Sequence, residues 1–427
     1  MRKFLYISIS LFVTLFCVGC DYFALFDEPD FGEQNSEVAD HAMIFYVMAD
    51  NNLRNSLAEN VKQIAQSVGS DFAEGGRIVI YYDRSDSTTL LQLKANDIRE
   101  SNWRDRFEVL KRYEKQNCAS VEVLSQVMED VKALVPSKSY GIVFSGHGGG
   151  WFPNHISSGT TNDKQKVSPL LIEHAITIDP ERIPLTRWYG YDGSASNANS
   201  FMTTEGMVEG LSEMDLDYII FDACYMSSIE MIYELRNTTD YIIASPAEIM
   251  AYGFPYREII PMIFEQEASL VDVAEQFVDY YKNRYTGTYK CAAVAAIDCS
   301  QLEPLAQSVK AIYDMGVLDV DLSKVQALES LSTDHAYFDM MSYFSLAAPD
   351  MELLDNFRNA FNKAVAYSDH TARIYAELSG RAGYVSSVSP DGILSLCGVN
   401  CYVPRDHLPI TKSYWEQSAW GRAVLGR

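Results

Sequence analysis

The sequence is poor in basic residues and rich in acidic ones. It contains 34 lysine and arginine residues against 58 aspartate and glutamate residues, which gives a formal net charge of −24 at pH 7. Nucleic acid and anionic lipid surfaces repel such a chain, so we exclude both as electrostatic partners. The charge suits solubility at a cell surface, and attraction of cationic substrates would require a local carboxylate as well.

Long apolar runs are missing after the N-terminus. No later segment approaches the roughly 18 consecutive apolar residues that a transmembrane helix requires, so we expect no spanning helix. At the N-terminus itself, Arg2 and Lys3 precede an uncharged apolar segment over residues 4–18. This segment is short for a membrane span and is typical of a signal peptide, which we assign to residues 1–19.

The signal segment ends in the sequence FCVGC, in which a small residue precedes Cys20. This pattern resembles a bacterial lipobox and predicts Cys20 as the lipidated first residue of the mature protein, although Cys17 stands where leucine is usual. Ordinary signal cleavage nearby is the alternative. The acidic residues 20–40 are predicted to form a flexible tether. A lipid and a tether would anchor the protein to the cell envelope, in the periplasm or at the surface, without spanning the membrane.

The remaining cysteines show no metal-binding pattern. They include no CxxC pair and no Cys/His cluster with zinc spacing, and the chain has no EF-hand-like loop, so we predict no metal site and no required cofactor. Cys397 and Cys401 are close enough in sequence to form a disulfide in an oxidising compartment, but the sequence leaves the pairing open. The six cysteines after Cys20 are Cys118, Cys224, Cys291, Cys299, Cys397 and Cys401.

Apolar runs alternate along the chain with segments of helical periodicity. Strands are predicted over residues 41–49 and 77–82, and helices over 53–68 and 121–134. Near-continuous apolar strands separated by amphipathic helices indicate an α/β fold with a mostly parallel sheet covered by helices on both faces. Further predicted elements are helices over 203–211, 227–235, 271–285, 301–315 and 353–367, and strands over 241–244, 292–297 and 392–396.

Two of the apolar strands end in a chemically reactive residue. Residues 140–145 lead to His147, and residues 218–222 lead to Cys224. Ligands and catalytic groups gather beyond the carboxyl ends of strands in an α/β sheet, and adjacent strands lie about 4.8 Å apart. If these two strands are neighbours, the imidazole and the thiol form a candidate pair for nucleophilic catalysis.

Each group has a defined role in that chemistry. Cys224 would attack the scissile carbonyl, and His147 would accept the thiol proton or protonate the leaving amine. We expect Cys224 to open a helix, which would lower the pKa of its thiol. The backbone N–H groups of Gly148 and Cys224 are the expected oxyanion donors, because glycine allows the backbone to approach a substrate closely.

These residues also have a purely structural interpretation. A lone cysteine after a strand is more often a small core residue, and a histidine before glycines is often part of a turn. Asp222 could cap the next helix, or it could form the floor of a pocket that selects arginine or lysine side chains. On physical grounds alone, the joint occurrence of His147 and Cys224 after two such strands balances the catalytic and the structural interpretations.

The motifs HGGGW at residues 147–151 and FDACYMSSIE at residues 221–230 together resemble the clostripain family of cysteine peptidases, which shares one structural clan with caspases, gingipains and legumains. Residues 41–53 and 245–256 resemble further stretches of that family. The resemblance implies a caspase-like catalytic domain over residues 41–256. Residues 257–427 are then a C-terminal α/β extension packed on it.

The resemblance also implies an activity. Cys224 and His147 would form the catalytic dyad, and Asp222, with Glu248, would line a pocket for arginine or lysine. This corresponds to an endopeptidase that cleaves proteins or peptides after Arg or Lys, and we expect it to be a monomer. A surface acid at a strand end is the alternative for Glu248. Some relatives need calcium, so a calcium requirement stays open.

The family further implies activation by self-cleavage between the histidine and the cysteine. The irregular segment 152–200 carries basic residues there, and Lys164, Lys166 and Arg187 are the candidate processing sites. A long irregular loop within a compact domain is usually functional or disordered. An unprocessed surface loop is the alternative.

Two other functions are compatible with the same fold. The first is a catalytically inactive binding or adhesion lipoprotein of the cell envelope. The second is a related peptidase of different specificity, such as cleavage after aspartate. The presence of His147, Cys224 and Asp222 together favours an active enzyme, and Asp222 disfavours acidic substrates because two carboxylates in one site repel each other.

Overall fold

The computed structural model describes residues 37–70, 72, 75–95, 102–151, 202–265, 269–316, 318–329, 334–376, 383–384, 393 and 396–427. Its strands, in chain order, are β1 (His41–Met48), β2 (Gly76–Asp83), β3 (Thr88–Leu93), β4 (Phe107–Tyr113), β5 (Tyr140–Ser145), β6 (Leu216–Asp222), β7 (Thr239–Ala244), β8 (Ala293–Asp298), β9 (Phe338–Asp339), β10 (Val365–His370), β11 (Tyr375–Ala376), β12 (Gly383–Tyr384) and β13 (Asn400–Cys401).

Nine of these strands form the central sheet, in the order β10-β8-β7-β6-β5-β1-β2-β3-β4. The five strands β7, β6, β5, β1 and β2 run parallel to one another. The antiparallel strands β8 and β10 extend one edge, and the antiparallel strands β3 and β4 extend the other. The predicted mostly parallel sheet is confirmed, and its parallel strands are buried on both faces, as their apolar sequences require.

Helices cover both faces of this sheet and enclose two apolar layers. The helices are α1 (Arg54–Ala65), α2 (Val121–Leu134), α3 (Thr204–Gly210), α4 (Ile229–Glu234), α5 (Tyr256–Ile263), α6 (Leu270–Arg284), α7 (Leu302–Tyr313), α8 (Met340–Ala347), α9 (Met351–Ala364), α10 (Pro409–Gln417) and α11 (Ala419–Leu425). One layer contains buried residues of α1, α5 and α6, and the other contains buried residues of α2, α3, α4 and α7–α11.

Side-chain caps explain where several of these helices begin. The predicted helix 121–134 is confirmed residue for residue, and the Ser120 side chain accepts a hydrogen bond from the N–H of Val123. The side chain of Thr203 likewise accepts a hydrogen bond from the N–H of Gly206 at the start of α3. Local capping chemistry therefore fixes the elements that flank the two reactive strands.

The C-terminal half continues the central sheet. β8 pairs with β7, and β10 pairs with β8, so residues beyond 256 complete one edge of the sheet. The helix predicted over 353–367 ends at Ala364, because β10 begins at Val365. Of the strand predicted over 392–396, most residues lie outside the described part of the chain. Among the described residues, no helix is both long and apolar enough to cross a membrane.

Candidate active site

His147 and Cys224 follow neighbouring parallel strands. The last residue of β5, Ser145, pairs with the last residue of β6, Asp222. His147 and Cys224 each lie two residues beyond these strand ends. The sheet therefore brings the imidazole and the thiol to the same carboxyl edge, as the sequence predicts for adjacent strands.

The loop after His147 packs directly on the backbone of Cys224. A side-chain carbon at Gly148 would lie 2.5 Å from the carbonyl oxygen of Cys224 and 2.7 Å from its nitrogen, so a larger residue does not fit without movement. The structure thus brings together the two residues whose N–H groups are the expected oxyanion donors. Glycine is required here for close backbone approach.

Asn52 holds one ring nitrogen of His147. The His147 side chain is buried, and its Nε2 lies 2.6 Å from Oδ1 of Asn52, which follows the neighbouring strand β1. Because a side-chain oxygen accepts only from a protonated nitrogen, this contact places the proton of a neutral imidazole on Nε2. Proton exchange with a thiol then falls to Nδ1. Asn52 is not among the sequence-predicted site residues, although its position after a strand of the same sheet is a signal that could have identified it.

The loop after β7 encloses the thiol of Cys224. The residue is fully buried, and the backbone N–H of Ile249 donates to Sγ at 3.3 Å. The thiol in turn lies 3.8 Å from the carbonyl oxygen of Ile249. An N–H donor stabilises the negative charge of a thiolate, whereas a carbonyl acceptor favours the neutral thiol. Ile249 therefore presents both a hydrogen-bond donor and an acceptor to the sulfur of Cys224.

The helix that follows Cys224 begins later than the sequence predicts. α4 starts at Ile229 with Ser228 as its N-cap, so the expectation that Cys224 opens a helix is wrong. Tyr225 takes the left-handed conformation, with φ of 58°, and this interrupts the helical path. The N–H groups of Tyr225 and Ser227 each donate, at 2.9 Å, to carbonyl oxygens of the loop after β7. A helix N-terminus is therefore not the direct source of thiolate stabilisation.

Asp222 is buried beneath the catalytic edge of the sheet. The hydroxyl of Tyr256 donates to its Oδ2 at 2.6 Å, and the Ser145 hydroxyl lies 3.5 Å from the same oxygen. The two hydroxyls are 2.9 Å apart. The alternative role of Asp222 as a helix cap is wrong, because the N-cap of α4 is Ser228. Tyr256 and Ser145 were not among the sequence-predicted site residues.

Glu248 has a different partner from Asp222. Its Oε1 accepts from the hydroxyl of Tyr225 at 3.3 Å, and the residue is buried. Tyr225 belongs to one apolar layer and Tyr256 to the other. The two carboxyl groups proposed for the pocket are thus held by tyrosines on opposite faces of the sheet.

Several other sequence-predicted sites lie outside the residues that the structure describes. Cys20 and the processing candidates Lys164, Lys166 and Arg187 lie outside the described residues. Cys397 and Cys401, whose pairing the sequence leaves open, are not joined by a disulfide in the structure. Within the described part of the chain, no three His, Cys, Asp or Glu side chains group together in a way that could hold a metal ion.

Comparison with known proteins adds to this geometry. The sequence profile of the Clostripain family matches residues 45–168 and 163–389. Clostripain from Hathewaya histolytica is 23% identical over 243 residues, which is 52% of this chain and 41% of that protein. The chain therefore spans less than half the length of this curated relative.

Solved structures match over nearly the whole chain. An inactive zymogen C11 protease from Parabacteroides distasonis superposes with a TM-score of 0.73 at 27% identity, covering 91% of this chain and 99% of that one. A secreted C11 cysteine protease from Bacteroides thetaiotaomicron, solved with an irreversible peptide inhibitor, gives a TM-score of 0.73 at 25% identity, with 90% and 99% covered. The expected fold and resemblance are confirmed: the chain belongs to the clostripain family and has the fold of its cysteine proteases.

Proposed function

We propose that this protein is a cysteine endopeptidase that cleaves after Arg or Lys, with Cys224 as nucleophile and His147 as general acid and base. The observation that carries the proposal is the contact between the two loops at the end of β5 and β6. Gly148, next to His147, packs on the backbone of Cys224, which supports a site in which the proposed nucleophile, proton carrier and oxyanion donors lie together. Acyl transfer by a thiol requires these three components together.

The reaction proceeds through an acyl-enzyme. Nδ1 of His147 takes the thiol proton as the sulfur of Cys224 attacks the carbonyl carbon of the scissile bond, and the N–H groups of Gly148 and Cys224 stabilise the oxyanion that forms. Nδ1 then gives this proton to the leaving amine as the C–N bond breaks, which leaves a thioester. Water, deprotonated by Nδ1, hydrolyses the thioester, and the proton passes from Nδ1 to the departing sulfur, which restores the thiol. No step in this sequence requires a cofactor, and a calcium requirement remains a question for the assay.

Asp222 supplies the specificity in this proposal. A buried carboxylate gains a charge-assisted hydrogen bond when an arginine or lysine side chain replaces neutral hydroxyl partners. In the present structure those partners are the hydroxyls of Tyr256 and Ser145. A substrate cation would add to or displace them. Glu248 contributes negative potential from the far side of the Cys224 turn.

We also propose that the intact chain matures by cleavage in the 152–200 segment. His147, Cys224 and Asp222 are each at most 1% exposed, which supports a closed precursor that must open before it accepts a protein substrate. Lys164, Lys166 and Arg187 have the specificity that the proposed enzyme itself would recognise. The structurally similar C11 protease from Parabacteroides distasonis is an inactive zymogen, which supports the same arrangement for this chain.

The direct test compares purified residues 21–427 with the Cys224→Ala variant on fluorogenic peptides ending in Arg, Lys or Asp. We expect cleavage after Arg or Lys that is absent from the variant. Chain cleavage between residues 152 and 200 should appear on a gel only for the active protein. If no peptide is cleaved, with or without calcium, reductant and trial trypsin activation, the protein is instead an inactive binding or adhesion lipoprotein on the same fold.

The anchoring of the protein is a separate proposal. We propose that Cys20 carries a lipid that holds a monomeric enzyme at the cell envelope, where it acts on protein or peptide substrates. Expression in a bacterial host followed by detergent partitioning tests this. The wild-type protein should enter the detergent phase, and the Cys20→Ala variant should not. Equal partitioning of the two proteins would exclude lipidation at this position.

A further inference from the structure

One side chain from the C-terminal extension contacts both catalytic loops. Tyr337 lies just before β9, outside the segment that carries the dyad, and it is 1% exposed. Its hydroxyl donates to the carbonyl oxygen of Gly149 at 2.6 Å. Its ring stacks on the ring of Tyr225, with 4.3 Å between centroids and 11° between planes. Tyr337 therefore joins the loop after His147 to the turn after Cys224.

Both contacts act on backbone segments whose conformation depends on their surroundings. Residues 148–150 are three consecutive glycines, which leave the loop with more conformational freedom than any other sequence would. Tyr225 is an aromatic residue at φ of 58°, a conformation that non-glycine residues adopt only when the surroundings impose it. A hydrogen bond to Gly149 and a ring on Tyr225 are constraints of the kind that such segments require.

The two loops also meet beneath Tyr337. Gly150 has φ of 65°, and a side-chain carbon there would lie 2.9 Å from the carbonyl oxygen of Tyr225 and 3.3 Å from a ring carbon of Tyr337. The Tyr337 ring, Gly150 and the Tyr225 backbone thus form one packed contact. Movement of either loop would disturb the other through this contact.

Tyr337 is itself fixed to the turn that carries the nucleophile. β9 follows Tyr337 directly and pairs with β13. In β13, the N–H of Asn400 donates to the carbonyl oxygen of Ser227, and its side-chain amide donates to the carbonyl oxygen of Pro246, both at 2.9 Å. The hydroxyl of Ser227 in turn donates to the carbonyl oxygen of Gly398 at 2.6 Å. Tyr337 is therefore carried by a segment that is anchored to the Cys224 turn.

Resting on the proposed function above, we infer that Tyr337 is a positioning residue for catalysis, which holds the glycine segment after His147 against the Cys224 turn and so fixes the oxyanion donor Gly148. A preformed oxyanion site is effective because its donors do not have to reorganise during the reaction. Burial, together with the nearby carboxyl group of Glu329, raises the pKa of Tyr337 well above its usual range. The hydroxyl therefore stays protonated and able to donate throughout the working pH range.

The test replaces Tyr337 with phenylalanine, which keeps the stacked ring and removes only the hydroxyl. Removing a direct oxyanion donor costs about 10²–10³-fold in kcat, and Tyr337 acts one step further away, so we expect kcat to fall about tenfold with KM nearly unchanged. Tyr343→Phe is the matched control, because Tyr343 is buried in the same extension and its ring contacts Phe344. It should retain wild-type kcat.

Amide hydrogen exchange provides a readout that does not depend on activity. Measured in the Cys224→Ala background, Tyr337→Phe should speed exchange in the peptide that contains residues 148–150, and Tyr343→Phe should not. Faster exchange in Tyr337→Phe, combined with no peptide cleavage by the protein that retains Cys224, would support the role of Tyr337 in holding the loop and reject the proposed function. Unchanged exchange with unchanged kcat, or a raised KM with kcat preserved, would overturn the positioning role while leaving the peptidase assignment intact.

Discussion

At the scale of single residues, Asn52 determines which ring nitrogen of His147 carries the proton of the neutral imidazole. Asn52 lies in the turn after β1, the strand next to β5, and its side-chain oxygen accepts from Nε2 of the imidazole. A fixed tautomer matters because only the unprotonated ring nitrogen can take a proton from a thiol. The proposed dyad of His147 and Cys224 is therefore supported by a third polar residue, which lies in the turn after a third strand.

Replacing Asn52 with alanine should lower kcat and leave KM nearly unchanged, because the imidazole loses the acceptor that orients it. General acid–base catalysis contributes roughly 10²–10⁴-fold, so we expect a loss of about tenfold to a hundredfold. Steady-state hydrolysis of a fluorogenic arginine peptide measures both constants. Asn55→Ala, at an exposed position of α1, is the control and should behave as wild type. Wild-type kcat in Asn52→Ala would show that the contact is not needed.

Gly148→Ala should damage both activity and stability. Its new methyl group would meet the backbone of Cys224 at 2.5 Å and 2.7 Å, so one of the two loops must move. Misplacement of catalytic groups by about 1 Å can cost on the order of 10²-fold in rate, and overpacking destabilises by about 1–3 kcal/mol. Thermal unfolding and peptide hydrolysis on the same samples measure the two effects.

Gly287→Ala is the matched control for this substitution. Gly287 has φ of 60°, and no described atom lies within 4 Å of an added methyl group. The control should lose about 1–2 kcal/mol of stability from left-handed strain and keep its activity. Equal loss of activity in both variants would mean that the Gly148 contact has no special role.

The candidate catalytic residues are easier to predict from the sequence than the residues that hold them in place. His147 and Cys224 stand out because a histidine and a cysteine after apolar strands are chemically distinctive. Asn52 does not stand out, since asparagine is common in turns and helix caps. The left-handed backbone of Tyr225 could not be predicted either, because aromatic residues rarely adopt it and it results from tertiary contacts.

At the scale of elements, Glu230 links α4 to the C-terminal extension. Its Oε1 accepts from the N–H of Tyr402 at 2.9 Å and from the indole N–H of Trp415 at 3.0 Å, and its Oε2 accepts from the Ser228 hydroxyl at 2.6 Å. Burial is the largest influence and raises the pKa of Glu230 to about 7, although these donors lower it. The carboxyl group is therefore protonated over a pH range in which an unfolded chain is ionised.

This pKa predicts a pH dependence of stability. Between about pH 4.5 and 7 the folded protein holds a proton on Glu230 that the unfolded chain has released, so the free energy of unfolding should fall as pH rises through this range. Glu230→Gln removes the titration. Relative to the parent, it should gain on the order of 1–3 kcal/mol between pH 5 and pH 8.

Urea unfolding in the Cys224→Ala background, repeated at several pH values, measures this difference. Glu213→Gln, at an exposed position, is the control and should follow the parent curve at every pH. Parallel stability curves for Glu230→Gln and its parent would show that Glu230 does not titrate in this range.

Element positions were predicted well where local sequence decides them. The predicted strands 41–49 and 77–82 and the predicted helix 121–134 agree closely with β1, β2 and α2. Apolar runs, helical periodicity and capping residues determine these elements locally. The start of α4 was misplaced because the loop after β7 captures the N–H groups of Tyr225 and Ser227, which a helix would otherwise use. The antiparallel strands β3 and β4 were not predicted. β4 is a partly exposed edge strand without a continuous apolar run.

At the scale of the whole molecule, the proposed catalytic residues and the residues that complete the sheet lie in different halves of the chain. His147 and Cys224 precede residue 256, whereas β8 and β10 follow it and cover the β7 edge. Tyr337 also comes from the second half. The motifs were sufficient to predict the family and the fold class, but they carry no information on this long-range completion of the sheet.

A chain that ends at residue 256 should therefore not fold by itself. Removal of residues 257–427 would expose the edge of β7, including the fully buried Ile242 and Ile243, and unpaired apolar edge strands aggregate. Size-exclusion chromatography and far-ultraviolet circular dichroism of residues 21–256 beside residues 21–427 measure this. A monodisperse, folded 21–256 fragment would show that the boundary at residue 256 separates two independent domains.

The central claim is that Cys224 is a nucleophile in a site that accepts basic side chains. The most direct measurement treats matured residues 21–427 with peptide chloromethyl ketones ending in Lys or in Asp, followed by mass-spectrometric mapping of the modified cysteine. We expect rapid modification by the lysine reagent at Cys224 alone, and none at this site in His147→Ala on the same time scale. Equal modification by both reagents, or modification of another of the six cysteines instead of Cys224, would contradict the account.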